Sequence, residues 1–180
     1  RHKGIQLGDI DLSKHLKAEQ GQIEELLIDK GFILLGTVGK GSTAKIYKAI
    51  DTRGKWNKVT IRIEIRKDDG KRIDAPGKAL KFKKDLKGWH KNLVNIYDAG
   101  SIWIERNGKD IELRYHVLEF VEGRSVEDLI KDRYFEKIGL NETLKIMLQI
   151  IDVFNFLVKN RKTHKDFRYG AILITNDNKV

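Results

Sequence analysis

The chain has 180 residues, 40% of them hydrophobic, and 36 basic against 26 acidic residues give it a formal net charge of +10. This apolar share supports a folded core in one domain or one and a half. The sequence contains no cysteine, which excludes disulfides and thiolate metal sites. No stretch approaches about 18 uninterrupted apolar residues, and the first residues lack the apolar run of a signal peptide. We therefore expect a cytoplasmic protein without a membrane span.

The positive charge is compatible with an anionic partner, such as a nucleic acid, an acidic protein or a phosphate-bearing ligand. Lysines occur in every segment, without the basic helix or the aromatic and basic alternation typical of nucleic-acid modules. We therefore favour a solvated basic surface over a nucleic-acid-binding face.

The first predicted element is a short amphipathic helix at residues 18–30. Ile23, Leu26 and Leu27 share one helical face, and Gly31 follows as a natural left-handed cap. The apolar face of this helix could dock on the sheet or on another protein.

Strand-like patterns follow, interrupted by one irregular helix at residues 77–89 that begins after Pro76. The turn dipeptide Asn107-Gly108 indicates a hairpin between the last two strands. The five strand-like runs are residues 32–35, 45–50, 58–65, 93–106 and 110–120.

A long helix is predicted after Asn141, which is suited to an N-terminal cap. Its apolar residues recur at helical spacing, so we expect this stripe to face the core. The stripe consists of Leu144, Met147, Ile151, Phe154 and Val158.

A glycine-bearing segment between the first two predicted strands is the first candidate site. It runs from Gly39 through Gly41 and Ala44 to Ala49. Between strands, such a hairpin can lay backbone amides over a phosphate, although a tight turn explains the two glycines equally well.

Further motifs add to this segment in a fixed order. Val59-Thr60-Ile61-Arg62 resembles the third-strand motif that follows the glycine loop in protein kinases, with Arg62 in place of the usual lysine. Residues 90–97 resemble the family's turn into its fourth strand, and residues 118–123 resemble its hinge. Residues 164–174, which read H-K-D-F-R-Y-G-A-I-L-I, resemble its catalytic loop H-R-D-L-K-x-x-N-I-L. Residues 32–180 thus resemble the protein kinase superfamily, in its eukaryotic-like serine/threonine branch.

This resemblance implies an α+β fold. A five-stranded antiparallel N-lobe sheet with a helix would be followed by the first helices and the catalytic loop of the C-lobe. We expect three parts: a helical extension at 1–31, an N-lobe at 32–121 and a partial C-lobe at 122–180.

The resemblance implies that ATP binds to the N-lobe. Gly39 and Gly41 would cover the phosphates, Ala49 would contact the adenine, and Arg62 would supply the phosphate-binding cation. A helix carboxylate normally pairs with that cation. The family spacing leads to Lys81 and a shifted match leads to Asp85, so its identity stays open.

The hinge and the catalytic loop supply the remaining implied roles. Glu119 and Val121 would bind the base through their backbone, with Ser125 near the ribose. Asp166 would be the catalytic base, and Arg168 would replace the loop lysine that neutralises the transferred phosphoryl group.

The expected magnesium ligand is replaced by Ala171, whose methyl group cannot coordinate a metal, so no metal residue is assigned and magnesium stays open. The D-F-G aspartate of the family would follow Val180. We therefore expect this chain by itself to lack appreciable phosphotransfer activity.

The leading function is ATP-dependent phosphotransfer to serine or threonine hydroxyls of proteins by the complete parent protein. The alternative is a pseudokinase, a binding or scaffolding module without turnover, which Arg62 and Ala171 favour. A small-molecule kinase of the aminoglycoside type fits the hinge less well. The expected partners are ATP and a protein substrate or partner, for which an acidic protein is one candidate.

Overall fold

The computed structural model describes residues 12–40, 44–55, 57–65, 77–106, 108–164 and 167–180. Its contacts divide the chain into two compact units. Unit 1 draws on residues 1–76 and 99–117, and unit 2 on residues 77–98 and 118–180. No described helix is long and apolar enough to cross a membrane.

Helices and strands follow the predicted α+β order. In chain order they are α1 (Leu12–Asp29), β1 (Phe32–Lys40), β2 (Ala44–Asp51), β3 (Lys58–Ile65), α2 (Gly77–Asp85), β4 (Ile96–Arg106), β5 (Lys109–Glu119), β6 (Gly123–Ser125), α3 (Val126–Lys131), α4 (Tyr134–Lys159), a 3-10 turn (Tyr169–Ala171) and β7 (Leu173–Thr175). Five of the strands form one sheet in the order β1-β2-β3-β5-β4, which confirms the predicted five-stranded sheet. Pro76 and Asn107 lie outside the described residues.

Alternation along the strands gives the sheet two different faces. Residues directly opposite each other on antiparallel strands point to the same face. Tyr47 pairs with Ile61, and Ala49 pairs with Val59. All four are buried, and they define what we call the core face. The residues between them define the outer face.

Helix α1 packs against the core face of unit 1. Its Ile23 and Leu27 are buried. The side-chain oxygen of Gln22 accepts a hydrogen bond of 3.2 Å from the backbone N–H of Glu105 on β4. Burial and the nearby carboxylate of Glu24 raise the pKa of Tyr47 on the core face. Of the two possible docking surfaces, α1 thus uses the sheet.

A charged turn closes the junction between α1 and the sheet. Gly31 ends α1 at a φ of 84°, which confirms the predicted left-handed cap. A Cβ atom at this position would lie 2.6 Å from Cγ of Arg53. Arg53 donates to the buried carboxylate of Asp51 from its backbone N–H at 3.0 Å and from Nε at 2.9 Å. Its guanidinium also lies 4.3 Å from the ring centre of Phe32, so cap and turn are held together.

Unit 2 has its own small core around the β6–β7 pair. Ser125 caps α3 by accepting a hydrogen bond of 3.1 Å from the backbone N–H of Asp128. Gly123 pairs with Thr175, and a Cβ at position 123 would lie 2.6 Å from the carbonyl oxygen of Ile174. The close approach of β7 therefore requires glycine at that position. The buried core residues are Val126, Leu129, Ile146, Ile172 and Ile174.

Helix α4 differs from its prediction in two ways. It breaks at Gly139, whose φ of 78° and ψ of 174° are not helical, two residues before the predicted cap Asn141. The predicted core stripe is wrong for four of its five residues, because Leu144, Met147, Ile151 and Val158 are exposed, whereas Phe154 is half-buried. The helix instead buries Ile146 and Leu157. Since α4 carries apolar residues on more than one face, periodicity alone could not select the buried one.

Helix α2 is shorter than predicted, ending at Asp85 instead of residue 89. The chain then turns, and the indole N–H of Trp89 donates to the carbonyl of Leu93 at 2.9 Å. Nζ of Lys83 donates to Oδ1 of Asn95 at 2.6 Å and to the carbonyl of Ile96 at 3.0 Å. These bonds tie α2 to the start of β4 within unit 2.

Candidate nucleotide site and catalytic loop

The outer face of unit 1 brings two predicted site residues into one row. Gly39 on β1 pairs with Ile46 on β2, and Ile46 pairs with Arg62 on β3. Neighbouring strands lie roughly 4.8 Å apart, so Gly39 and Arg62 are about 10 Å apart across the row. The structure therefore assembles the end of the glycine segment and the basic third-strand residue on one surface. Gly41 lies outside the described residues.

The backbone of Gly39 is not one that only glycine can adopt. A Cβ atom there would meet Cδ1 of Ile46 at 3.5 Å, which is an ordinary van der Waals contact. The fold would thus accept alanine at position 39. The missing side chain leaves the backbone of β1 exposed to the outer face, where a ligand could approach it closely.

Arg62 has a carboxylate partner on its own strand. Its Nη1 forms an ion pair with Oε1 of Glu64, two residues further along β3. The side chains of Arg62 and Glu64 are 34% and 22% exposed, so both are partly withdrawn from solvent. This partial burial makes the attraction stronger than that of a fully solvated surface pair.

His116 on β5 adds a polar atom near this pair. Its Nδ1 is buried and has no hydrogen-bond partner among the described residues. Burial lowers the pKa of His116, and the positive charges of Arg62 and Arg114 lower it further. The imidazole is therefore neutral at pH 7, with a buried nitrogen beside the cation of β3.

Ala49 occupies a different place from Arg62. Its methyl group is fully buried on the core face, whereas Arg62 lies on the outer face of the neighbouring strand. The outer-face residues in this region are Ile46 and Thr60, which the sequence analysis did not select. Counting by two residues from Arg62 along the strand would have identified Thr60.

The predicted hinge begins at the end of β5. The backbone N–H of Glu119 donates to the carbonyl of Asn95 at 2.9 Å, and Oε2 of Glu119 accepts from the N–H of Asn95 at 3.0 Å. These bonds engage the amide and carboxylate of Glu119 and do not involve its carbonyl oxygen. Val121 follows between β5 and β6 and is half-buried. Burial and the carboxylate of Glu119 raise the pKa of nearby Tyr97.

Ser125 has a structural role in unit 2. Besides capping α3, its hydroxyl donates to Oδ2 of Asp128 at 2.6 Å. This hydrogen bond from Ser125 lowers the pKa of Asp128. The hydroxyl of Ser125 is therefore already ordered by local contacts.

The catalytic-loop motif is described in part. Asp166 lies outside the described residues. Arg168 is exposed, and its carbonyl accepts a hydrogen bond of 2.9 Å from the N–H of Ala171. The ring centres of His164 and Phe167 are 6.0 Å apart, and those of Phe167 and Phe154 are 4.6 Å apart. Aromatic edge contacts thus hold the entrance to this loop on α4.

Ala171 does not fit a magnesium ligand. It is exposed at the end of the 3-10 turn, and its methyl group has no lone pair to offer a cation. Among the described residues, no group of three or more histidines, aspartates and glutamates is placed to hold a metal ion. Ala171 therefore cannot be one of the residues that hold a metal.

The two candidate helix positions for the Arg62 partner have distinct environments. Lys81 is an exposed cation and cannot serve as a carboxylate. Oδ2 of Asp85 accepts from Nζ of Lys162 at 3.1 Å within unit 2. Glu64, which was not predicted, forms an ion pair with Arg62. The spacing of two residues between Arg62 and Glu64 could have indicated this pair from the sequence, because such residues share a face of a strand.

Comparison with known proteins identifies the family. The family model described as protein kinase domain matches residues 32–180. The chain belongs to the protein kinase domain family, which confirms the resemblance of residues 32–180 to protein kinases.

Individual relatives are serine/threonine kinases. A probable serine/threonine-protein kinase of Clostridium acetobutylicum is 30% identical over 144 residues, which cover 78% of this chain and 20% of that protein. A second, from Bifidobacterium longum, is 26% identical over 149 residues, with coverages of 79% and 20%. A serine/threonine-protein kinase of Caenorhabditis briggsae is 25% identical over 168 residues, with coverages of 86% and 23%. The chain spans about a fifth of the length of these curated relatives.

Proposed function

We propose that this chain binds ATP and that its complete parent protein transfers the γ-phosphate to serine or threonine hydroxyls of proteins. The observation that carries the proposal is the row formed by Gly39, Ile46 and Arg62 on the outer face of unit 1. A bare backbone at one end of the row and a guanidinium at the other suit a polyphosphate, which needs amide donors and positive charge.

The neighbouring polar groups support the same ligand. The buried Nδ1 of His116 has no hydrogen-bond partner among the described residues, and a bound polar ligand or its water would satisfy it. Gly41 is proposed to extend the phosphate contact of Gly39 on the basis of the motif alone. Ala49 is proposed to act through packing beneath the row, since its methyl group is buried on the core face.

The remaining roles belong to the hinge and the loop. We propose that the carbonyl of Glu119 and the backbone of Val121 bind the adenine base. If Ser125 binds the ribose, the hydrogen bond that its hydroxyl accepts from the N–H of Asp128 would have to weaken. Asp166 as catalytic base and Arg168 as phosphoryl-neutralising cation remain proposals for the complete protein, as does its cytoplasmic location. A protein substrate or partner follows from the same family role, and a nucleic-acid partner is not proposed.

A second candidate function rests on Ala171. If the parent protein has no other means of holding magnesium, ATP binding without turnover is expected, as in a pseudokinase. This candidate predicts nucleotide binding that does not depend on magnesium. The leading candidate predicts that magnesium strengthens ATP binding or supports phosphate transfer by the complete protein.

A nucleotide titration followed by thermal unfolding tests the proposal. ATP at 100 times its Kd stabilises a single-site protein by about 2.7 kcal/mol, so a rising Tm is expected with ATP. Gly39→Ala is expected to leave the unliganded Tm nearly unchanged and to raise the Kd for ATP severalfold, because its methyl group fits the fold but blocks ligand approach. Gly21→Ala, on α1, serves as the control, because it is expected to raise the unliganded Tm and to leave the Kd for ATP unchanged.

The titration should be performed with and without magnesium. No change in Tm at millimolar ATP under either condition would contradict nucleotide binding by this chain. Transfer of labelled phosphate from ATP to a protein substrate by the purified chain would contradict the expectation that the chain alone lacks activity.

A further inference from the structure

The Arg62–Glu64 pair on β3 has a geometry set by the strand itself. Residues two positions apart on a strand point to the same face, so a single short segment fixes both charges. The pair forms between Nη1 of Arg62 and Oε1 of Glu64, with both side chains partly buried on the outer face. No rearrangement of another element is needed to bring these two groups together.

Helix α2 is poorly suited to supply this carboxylate. Its sequence GKALKFKKD contains four lysines and one acid, Asp85. Asp85 accepts from Lys162 at 3.1 Å, and Lys83 is tied to Asn95 and the carbonyl of Ile96. The charge that α2 brings to unit 2 is therefore predominantly positive, and its single acid already has a basic partner.

The chemistry of arginine allows the pair and a ligand to coexist. A guanidinium has five N–H donors arranged in a planar fork, so one edge can hold a carboxylate while another binds a phosphate oxygen. A carboxylate on one edge orients the other and reduces the rotamer freedom that ligand binding would otherwise remove. His116 does not compete for Glu64 as a cation, because burial and the charge of Arg62 lower its pKa.

We propose that Glu64 is a positioning residue that aims Arg62 at the phosphates of the nucleotide, in the place of a carboxylate carried by helix α2. This role rests on the proposed ATP binding and adds a specific dependence to it. Nucleotide affinity depends on the charge of Glu64 and does not depend on the charge of Asp85. Only ligands with phosphate groups are affected, because Arg62 meets the phosphates and not the base.

The deciding experiment measures the Kd of ATP and of adenosine for matched variants of the whole chain. Glu64→Gln keeps the shape of the side chain and removes its charge. It is expected to weaken ATP binding about tenfold, which corresponds to one charge-assisted contact, and to change adenosine binding less than about twofold. If Glu64 only stabilised the fold, Glu64→Gln would weaken the binding of ATP and of adenosine to the same extent.

The neighbouring strand offers a matched control. Glu112 pairs with Arg114 at 3.5 Å, again two residues apart and with side chains 20% and 16% exposed. Glu112→Gln and Asp85→Asn are both expected to leave the Kd of ATP within about twofold of its original value. Comparable loss in either variant would show that general charge or the helix acid matters, and would overturn the role of Glu64.

A charge exchange separates positioning from stability. The double variant Arg62→Glu with Glu64→Arg keeps an ion pair on β3 but moves its cation by two residues. We expect the double variant to have nearly the same unliganded Tm as the unaltered chain but a weaker affinity for ATP. Recovery of ATP affinity would overturn the proposal, because the location of the cation would then be unimportant.

The outcomes distinguish this inference from the proposed function. If the unaltered chain binds ATP and Glu64→Gln binds it equally well, the positioning role is wrong and ATP binding stands. If the unaltered chain does not bind ATP, the proposed function itself is wrong and the positioning role falls with it. If Glu64→Gln does not fold, Glu64→Asp decides. It keeps the charge one methylene further from Arg62 and is expected to weaken ATP binding and spare adenosine, whereas unchanged ATP affinity overturns the role.

Discussion

The sheet of unit 1 and helix α4 of unit 2 differ in how regularly their apolar side chains are buried. On β2, β3 and β5, alternate residues such as Tyr47, Ile61 and Val117 are buried, while the residues between them are partly exposed. On α4, Ile146 and Leu157 are buried, but apolar residues on other sides of the helix, including Met147, remain exposed. Burial in the sheet thus largely follows the alternation along its strands, whereas burial in α4 does not follow one apolar stripe.

The difference teaches when periodicity identifies a core. A strand has two faces, and polar residues such as Thr60 and Arg62 mark one of them as uncovered. Helix α4 is apolar on several sides, so its buried face depends on which elements pack against it. Predictions of burial are consequently safer for the sheet than for α4.

The largest expected effect tests this comparison with one substitution in each unit. Ile61 is fully buried and Ile151 is 49% exposed. Ile61→Ala is expected to lower the free energy of unfolding by about 2–5 kcal/mol, because it removes buried apolar surface and leaves a cavity. Ile151→Ala is expected to cost less than about 1 kcal/mol. Urea unfolding of both variants provides the measurement, and equal losses would show that α4 is covered on this side in solution.

Unit 1 contains an ion pair with a buried carboxylate, Arg53–Asp51, whereas the Arg133–Glu136 pair of unit 2 is exposed. Asp51→Asn is expected to cost about 1–3 kcal/mol, since the buried acceptor of three Arg53 hydrogen bonds loses its charge. Glu136→Gln, in the exposed pair with Arg133, is expected to cost less than about 1 kcal/mol. Urea unfolding at pH 7 compares them, and a loss at Glu136 as large as that at Asp51 would contradict the difference in burial.

Asp51→Asn is also expected to change how stability depends on pH. Burial by itself would raise the pKa of Asp51, but the hydrogen bonds and charge of Arg53 outweigh burial and lower it below 3.8. A carboxyl with a lowered pKa in the folded state stabilises that state above its unfolded pKa, and this contribution disappears as pH falls through the folded value. The free energy of unfolding should therefore fall less steeply below pH 4 in Asp51→Asn than in the unaltered chain.

Two glycines give smaller effects of opposite sign. Gly123→Ala would place a Cβ 2.6 Å from the carbonyl oxygen of Ile174, so we expect a loss of about 1–3 kcal/mol and faster hydrogen exchange at Leu173. Gly21→Ala, inside α1, has no atom within 4 Å of the new Cβ and is expected to gain about 0.5–1 kcal/mol. Stabilisation by Gly123→Ala would show that β6 and β7 are not closely paired.

Much of the fold could be predicted because its signals are local. The alternation along β3, the left-handed cap at Gly31 and the change to helical periodicity after Gly123 each depend on a few adjacent residues. The end of α2 at Asp85 was missed because Lys83 in its last turn is held by a bond to Asn95 and Trp89 beyond it by a bond to Leu93, which no local pattern encodes.

The candidate site was predictable in composition and less so in geometry. Gly39 and Arg62 were selected by motif, and the sheet places them in one row. Ala49 was selected by the same motif, although its methyl group is buried on the opposite face from Arg62. The motif records residue order, whereas the face of each residue depends on strand register and on the bulges of β1.

The sequence by itself determined the order of elements, the kinase-like motifs and the family, because these depend on residue type and spacing along the chain. The tertiary structure alone decided that α1 docks on the sheet, that α4 buries Ile146 instead of Met147, and that Glu64 forms an ion pair with Arg62. In each case the local sequence allows more than one residue or surface to make the contact. Packing and charge in the folded chain make that choice, because only there do the competing groups meet.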